Sequence, residues 1–281
     1  MSDSRPITRR MPLEVAVFSG QSALEAQLLG AARVELNAPG SYAVGGLTPE
    51  VDELADIRAR LNIPVHVMIR PRGAAPAGPD FVYSAQELAQ MILSINEFKA
   101  AGVMNPLHGD RFVLGALRLV DDGDGDGGAE ARQRLDIDET VCRALVETAK
   151  PFGCVFHRAF DPLAGRGRGA AAQAADCLAS LGFHAVLTAG GPAGTCADEA
   201  NLDKIDHMAH RLAGRLAIVV GGGLRRHNVA RAAARLAVHP AAAVFFHAAA
   251  LRRAPDGSVS ERIDPDELDA LLRRLGVAEP A

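Results

Sequence analysis

PVHVMIRPRG, residues 64–73, reads as a core strand that ends in charge. Its apolar positions suit a buried strand. Yet His66 sits within the run and Arg70 and Arg72 close it, and such groups are costly to bury without partners. Seven further runs of this kind lie along the chain: LEVAVFSG (13–20), RVELNAP (33–39), RFVLGALRLV (111–120), FGCVFHRAFD (152–161), HAVLTAGG (184–191), LAIVVGGG (216–223) and AAVFFHAAA (242–250). Helix start signals fall between them. Ser22 with Glu25, Ser84 with Glu87 and Asp136 with Glu139 match the capping box, while Thr48–Pro49 and Asp264–Pro265 place a cap before a first-turn proline. Eight apolar strands alternating with helices over roughly 250 residues predict an α/β chain folded as a single-domain TIM (β/α)8 barrel. Residues 1–11 are read as a flexible N-terminal tail and 12–281 as the barrel. A doubly wound open sheet is the other arrangement that fits the alternation.

Three low-complexity stretches each follow a strand and are read as loops on the functional face: GAAPAGPD (73–80), DDGDGDGG (121–128) and GRGRGAAA (165–172). The alternating Asp of the second resembles a calcium loop but lacks the closing glutamate, so it is read as a solvated loop. The glycines of the third argue against a helix.

Composition narrows the function. The chain has 281 residues, 48% of them hydrophobic, enough for a substantial core. Its 34 acidic and 30 basic residues give a net charge of -4, and no basic run with interleaved aromatics marks a nucleic-acid face. Charge or Gly/Pro interrupts every apolar run, so neither a signal peptide nor a membrane span is expected, and a cytoplasmic location is. Cys142, Cys154, Cys177 and Cys196 lie at scattered spacings without a C-x-x-C pair, which fits reduced thiols.

In barrels of this kind chemistry gathers at the C-terminal ends of the strands. Glu35 and Asn37 stand there on strand two, His66, Arg70 and Arg72 on strand three, and His157, Arg158 and Asp161 on strand five. Thr188 and Gly190 end strand six, Gly221–Gly223 strand seven, and His247 lies on strand eight. Glu35, His66, His157 and Asp161 are candidate proton-transfer residues, since imidazoles titrate near neutrality and carboxylates orient them. Arg70, Arg72 and Arg158, with Thr188, Gly190, Gly222, Gly223 and His247, are candidates for holding an anion, because guanidinium groups and glycine-rich backbone grip carboxylates and phosphates. The same arginines could equally seal the barrel by pairing with Glu35 and Asp161, and His66 could be a hydrogen-bonded core histidine. Parity along a strand does not say which set faces the barrel axis.

RVELNAPGSYAVGGLTPE (33–50), IPVHVMIRPRG (63–73), FVYSAQE (81–87), VFHRAFD (155–161) and AVLTAGG (185–191), together with the VGGGL and VFFHAAA segments, resemble the CutC family of copper-homeostasis proteins over most of the chain. The resemblance implies a TIM barrel, a cytoplasmic protein, a homodimer or larger homo-oligomer, and copper binding. Where it places thiols, after V-E-L and before Tyr-Ser, this chain has Asn37 and Val82. Cu(I) prefers soft thiolate or thioether ligands, and Cys196, after strand six, is the one cysteine near the barrel top. His66, His157 and His247 would instead suit Cu(II), Zn(II) or no metal at all. The alternative function is an enzyme acting on a small phosphorylated or carboxylated substrate, without a copper role.

Overall fold

The computed structural model describes residues 10–75, 77–121, 133–254 and 256–276. Eight parallel strands close a barrel: β1 (Leu13–Val17), β2 (Arg33–Leu36), β3 (Val65–Met68), β4 (Arg111–Leu114), β7 (Gly153–Phe156), β8 (Ala185–Thr188), β9 (Ala217–Gly221) and β10 (Val244–Ala248). Each pairs with its neighbour in chain order, and β1 closes the ring against β10. The outward residues of the strands, among them Leu13, Val15, Val34 and Val67, pack under the surrounding helices as one continuous core.

The interior is divided. Met68, Val113, Val155, Ala185, Leu187 and Val219 form a compact apolar cluster inside the barrel. In the same interior, β1, β2, β3 and β10 present Glu14, Arg33, Glu35, His66 and His247, which are aligned by the strand register. His66 therefore belongs to a charged sector running down one side of the barrel, whereas Arg70 and Arg72 lie beyond the end of the strand.

The fourth run, 111–120, is two elements. β4 stops at Leu114, and the chain then leaves the barrel as β5 (Leu117–Asp121), antiparallel to β6 (Gln133–Ile137). A second hairpin, β11 (Leu251–Arg253) with β12 (Val259–Ile263), follows the last barrel strand. Of the DDGDGDGG loop, residues 122–128 lie outside the described residues.

Helix α3 (Ala85–Ala101) has the full capping box, with Ser84 Oγ accepting from Glu87 N and Glu87 accepting from Ser84 N. Asp264 caps α9 (Pro265–Arg274) as read. Other caps move by a few residues: Ser19, not Ser22, caps α1 (Gly20–Leu28), and Asp138, not Asp136, caps α4 (Glu139–Ala149). Thr48 starts no helix. Its hydroxyl accepts from Arg70 N and its N–H donates to Arg70 O, while α2 (Val51–Ala55) begins two residues after Pro49. GRGRGAAA is helical from Arg168, where α6 (Arg168–Ser180) begins after Gly167 in an extended, positive-φ conformation. The buried face Ala171, Ala172, Ala174 and Ala175 outweighs the helix cost of Gly169, which is tertiary packing overriding propensity. Met11 is already buried, with its N–H on Leu275 O.

Candidate functional site

A cavity of about 530 Å3 opens at the C-terminal mouth of the barrel. Glu35, Met68, Leu187 and His247 line it from the strands, and Arg70, Phe81, His157, Arg158, Asp161 and Gly222–Arg225 line it from the segments that follow.

A carboxylate–imidazole cluster lies at the charged sector of the barrel. Glu14 Oε1 is 2.7 Å from His247 Nδ1, and Glu14 Oε2 is 2.9 Å from His66 Nδ1 and paired with Arg33 Nε. Arg33 also stacks on the Phe245 ring, its Cζ 3.6 Å from the centroid. Asn37 Nδ2 donates to Glu35 Oε1 at 3.3 Å, leaving Glu35 Oε2 buried with no partner among the described residues. Ligand atoms of Glu14, Glu35 and His247 lie within 4.8 Å of one another.

The protonation of these groups follows from their surroundings. Burial acts to raise the Glu14 carboxyl, but the Arg33 charge and the hydrogen bonds with His247 and His66 outweigh it and hold the group well below the usual carboxylate range. Glu35 has less to offset its burial and the nearby Glu14 charge, and it is raised. Burial opposes a charge on His247, yet the Glu35 charge and the Glu14 hydrogen bond outweigh it and raise that ring. His66 is pushed down to about 4 by burial and then by the Arg33 charge.

The structure sorts the residues singled out in the sequence. Glu35 and His247 line the cavity, but His66 sits beneath it, supporting Glu14 as a fully buried core histidine. Arg70 lines the wall, with NH1 donating to Val44 O and Gly46 O and NH2 to Asp80. Arg72 is not at the cavity. It pairs with Glu87, donates to Gly73 O and Val82 O and stacks on Tyr83, so it fastens the loop after β3 to α3. Asp161 lines the wall with both oxygens occupied: Oδ1 accepts from Thr188 Oγ1 and Ala189 N, and Oδ2 from Arg158 Nε. Thr188 and Gly190 are corrected from ligand-holding to supporting positions. Thr188 Oγ1 is committed to Asp161 and accepts from Gly190 N, and Gly190 packs on the Asn201 backbone, so neither faces the cavity. Gly222 and Gly223 line the cavity at positive φ.

Cys196 does not reach the cavity. It is fully buried, its N–H donates to Gly222 O, and burial pushes its thiol up to about 12. Cys142 and Cys154 are likewise pushed to about 12 and Cys177 to about 11, each chiefly by burial, so no thiolate is available near the mouth. Sequence reasoning missed Glu14 and Arg33, the centre of the cluster. The signal was present: both are charges set in apolar strand runs, and Arg33 shares parity with Glu35.

The fold and this site define a (β/α)8 barrel with a buried carboxylate–imidazole cluster under an open mouth. Residues 11–244 match the model of the CutC family. The chain is 36% identical over 240 residues to a family protein CutC of Xanthomonas axonopodis pv. citri, covering 85% of this chain and 83% of that protein. It is 34% identical over 225 residues to the human copper homeostasis protein cutC homolog, covering 78% and 67%. A solved structure of a CutC from Streptococcus agalactiae superposes with a TM-score of 0.65 at 23% identity, covering 85% of this chain and 98% of that one, and supports the fold. The chain belongs to the CutC family. None of its described helices is long and apolar enough to cross a membrane.

Proposed function

We propose that this chain acts in copper homeostasis, the role for which its human relative is named, and that it meets the ion in the divalent state at Glu14, Glu35 and His247. The observation that carries the site is the convergence of two carboxylates and an imidazole within 4.8 Å, with one Glu35 oxygen buried and unpartnered. Carboxylate oxygen and imidazole nitrogen suit Cu(II), whereas Cu(I) calls for a set of soft thiolate or thioether ligands, of which the cavity lining offers Met68 alone. Arg33 already balances Glu14, so an incoming cation finds its uncommitted acceptor at Glu35.

Copper binding itself, a cytoplasmic setting and a homo-oligomeric state are carried over from the family resemblance. The four free cysteines fit a reducing compartment. The test is calorimetric titration of chelator-stripped protein with Cu(II), beside Glu35→Gln and Cys196→Ser. Stoichiometric binding weakened at least tenfold in Glu35→Gln and unchanged in Cys196→Ser supports the site. Equal binding by wild type and Glu35→Gln, or loss in Cys196→Ser, would overturn it.

A further inference from the structure

The wall of the cavity carries polar groups that an ion on Glu14, Glu35 and His247 would not use. His157 follows β7, and its Nδ1 accepts the Ala159 N–H at 3.3 Å. Burial, then the Arg70 charge, pushes the ring down to about 3, so it is neutral and carries one proton. With Nδ1 accepting, that proton is on Nε2. Nε2 is buried without a partner among the described residues, in a residue only 3% exposed.

Arg70, 4% exposed, repeats the pattern. Its terminal nitrogens are committed to Val44 O, Gly46 O and Asp80, and its Nε–H is left buried without an acceptor among the described residues. Phe81 adjoins both groups, its ring centroid 4.8 Å from that of His157 and 5.0 Å from Arg70 Cζ. Two unmet donors therefore belong to one wall. Asn37, also lining the cavity, presents the opposite need: Nδ2 donates to Glu35 and Oδ1 is a buried acceptor without a partner. Unmet polar groups at this density in one pocket call for a ligand or ordered water. The volume, about 530 Å3, suits a small organic molecule rather than an ion alone.

We propose that the cavity binds a small hydroxylated organic anion. Its carboxylate or phosphate oxygens accept from His157 Nε2–H and Arg70 Nε–H, and a hydroxyl group donates to Asn37 Oδ1. Arg158, 46% exposed in its side chain and held by Asp161, adds positive charge at the rim over Gly222. Both donor atoms and Asn37 Oδ1 are closed from solvent, so binding requires a side chain of the wall to shift, and Phe81 adjoins both donors. It has a φ of 64°, an uncommon conformation for an aromatic residue.

The proposal is independent of the copper reading and is tested on chelator-treated wild-type protein. The probes are D-glycerate, a hydroxy-carboxylate, and glycerol 3-phosphate, titrated by calorimetry while nitrogen-edited NMR follows the His157 ring. One probe is expected to bind at one site per chain, its identity deciding carboxylate against phosphate, and to move the Nε2–H resonance downfield. His157→Asn keeps an acceptor for Ala159 N–H but removes the ε donor, and is expected to weaken binding at least tenfold. His157→Gln, which restores an N–H at that reach, is expected to recover most of it. Failure of both probes, equal binding by His157→Asn, or an unmoved ring resonance would overturn the proposal and leave ordered water as the partner. Copper titration of the Glu35→Gln variant reads the other site separately.

Discussion

Acidification should destabilise this fold through His157, and the size of the effect can be worked out. In the unfolded chain its ring takes up a proton near the ordinary value of 6.5, but in the fold only at about 3. Because the folded value is depressed, the unfolded state binds the proton first, so stability falls as the pH drops through 6.5 and goes on falling until about 3. The term RT ln(1 + 10^(pKa − pH)) for the unfolded ring is about 0.2 kcal/mol at about pH 7 and about 2 kcal/mol at about pH 5. The loss from this one residue is therefore about 2 kcal/mol over that interval. Glu35 and Asp161, whose carboxyls are raised chiefly by burial, contribute with the opposite sign. The informative quantity is thus a difference. Urea unfolding of wild type and His157→Asn should be followed between about pH 7 and about pH 5. The variant starts less stable, and its pH dependence should be shallower by about 2 kcal/mol. Parallel curves would refute a neutral buried ring and remove the fixed Nε2–H on which the proposed anion binding depends.

Three further outcomes are expected. Arg33→Met leaves Glu14 buried opposite two imidazoles without its guanidinium partner, and should cost about 3–5 kcal/mol by urea unfolding. Gly190→Ala would put a Cβ 2.5 Å from Asn201 O at a φ of 81°, so about 2 kcal/mol or more should be lost, read as a lower thermal midpoint. Ser84→Ala removes one half of the α3 capping box and should cost about 1 kcal/mol, with Cu(II) binding unchanged.

The barrel was legible because each of its strands is an apolar run bounded by turn or cap residues, a pattern that depends on nearby sequence alone. Legibility failed where two structures share that pattern. Residues 111–120 look like one strand, yet the barrel strand stops before Gly115 and the second half pairs outside the barrel, a choice made by its antiparallel partner β6. The arginines failed for a related reason. Arg70 and Arg72 are two residues apart with the same parity, but β3 ends at Met68, and beyond it alternation no longer governs direction. One guanidinium therefore enters the cavity wall and the other lies on Tyr83 and Glu87.

The sequence by itself determined the alternation of strands and helices, the family, and the placing of Glu35, His157 and His247 near the strand ends. Only the tertiary structure decided which charges meet. Glu14 and His247 are separated by 233 positions and touch because β1 and β10 are the two strands that close the barrel. Their register is fixed by hydrogen bonds around the whole ring, to which no local stretch of sequence has access. The same closure buries Glu35, raises its carboxyl and leaves one of its oxygens without a partner among the described residues.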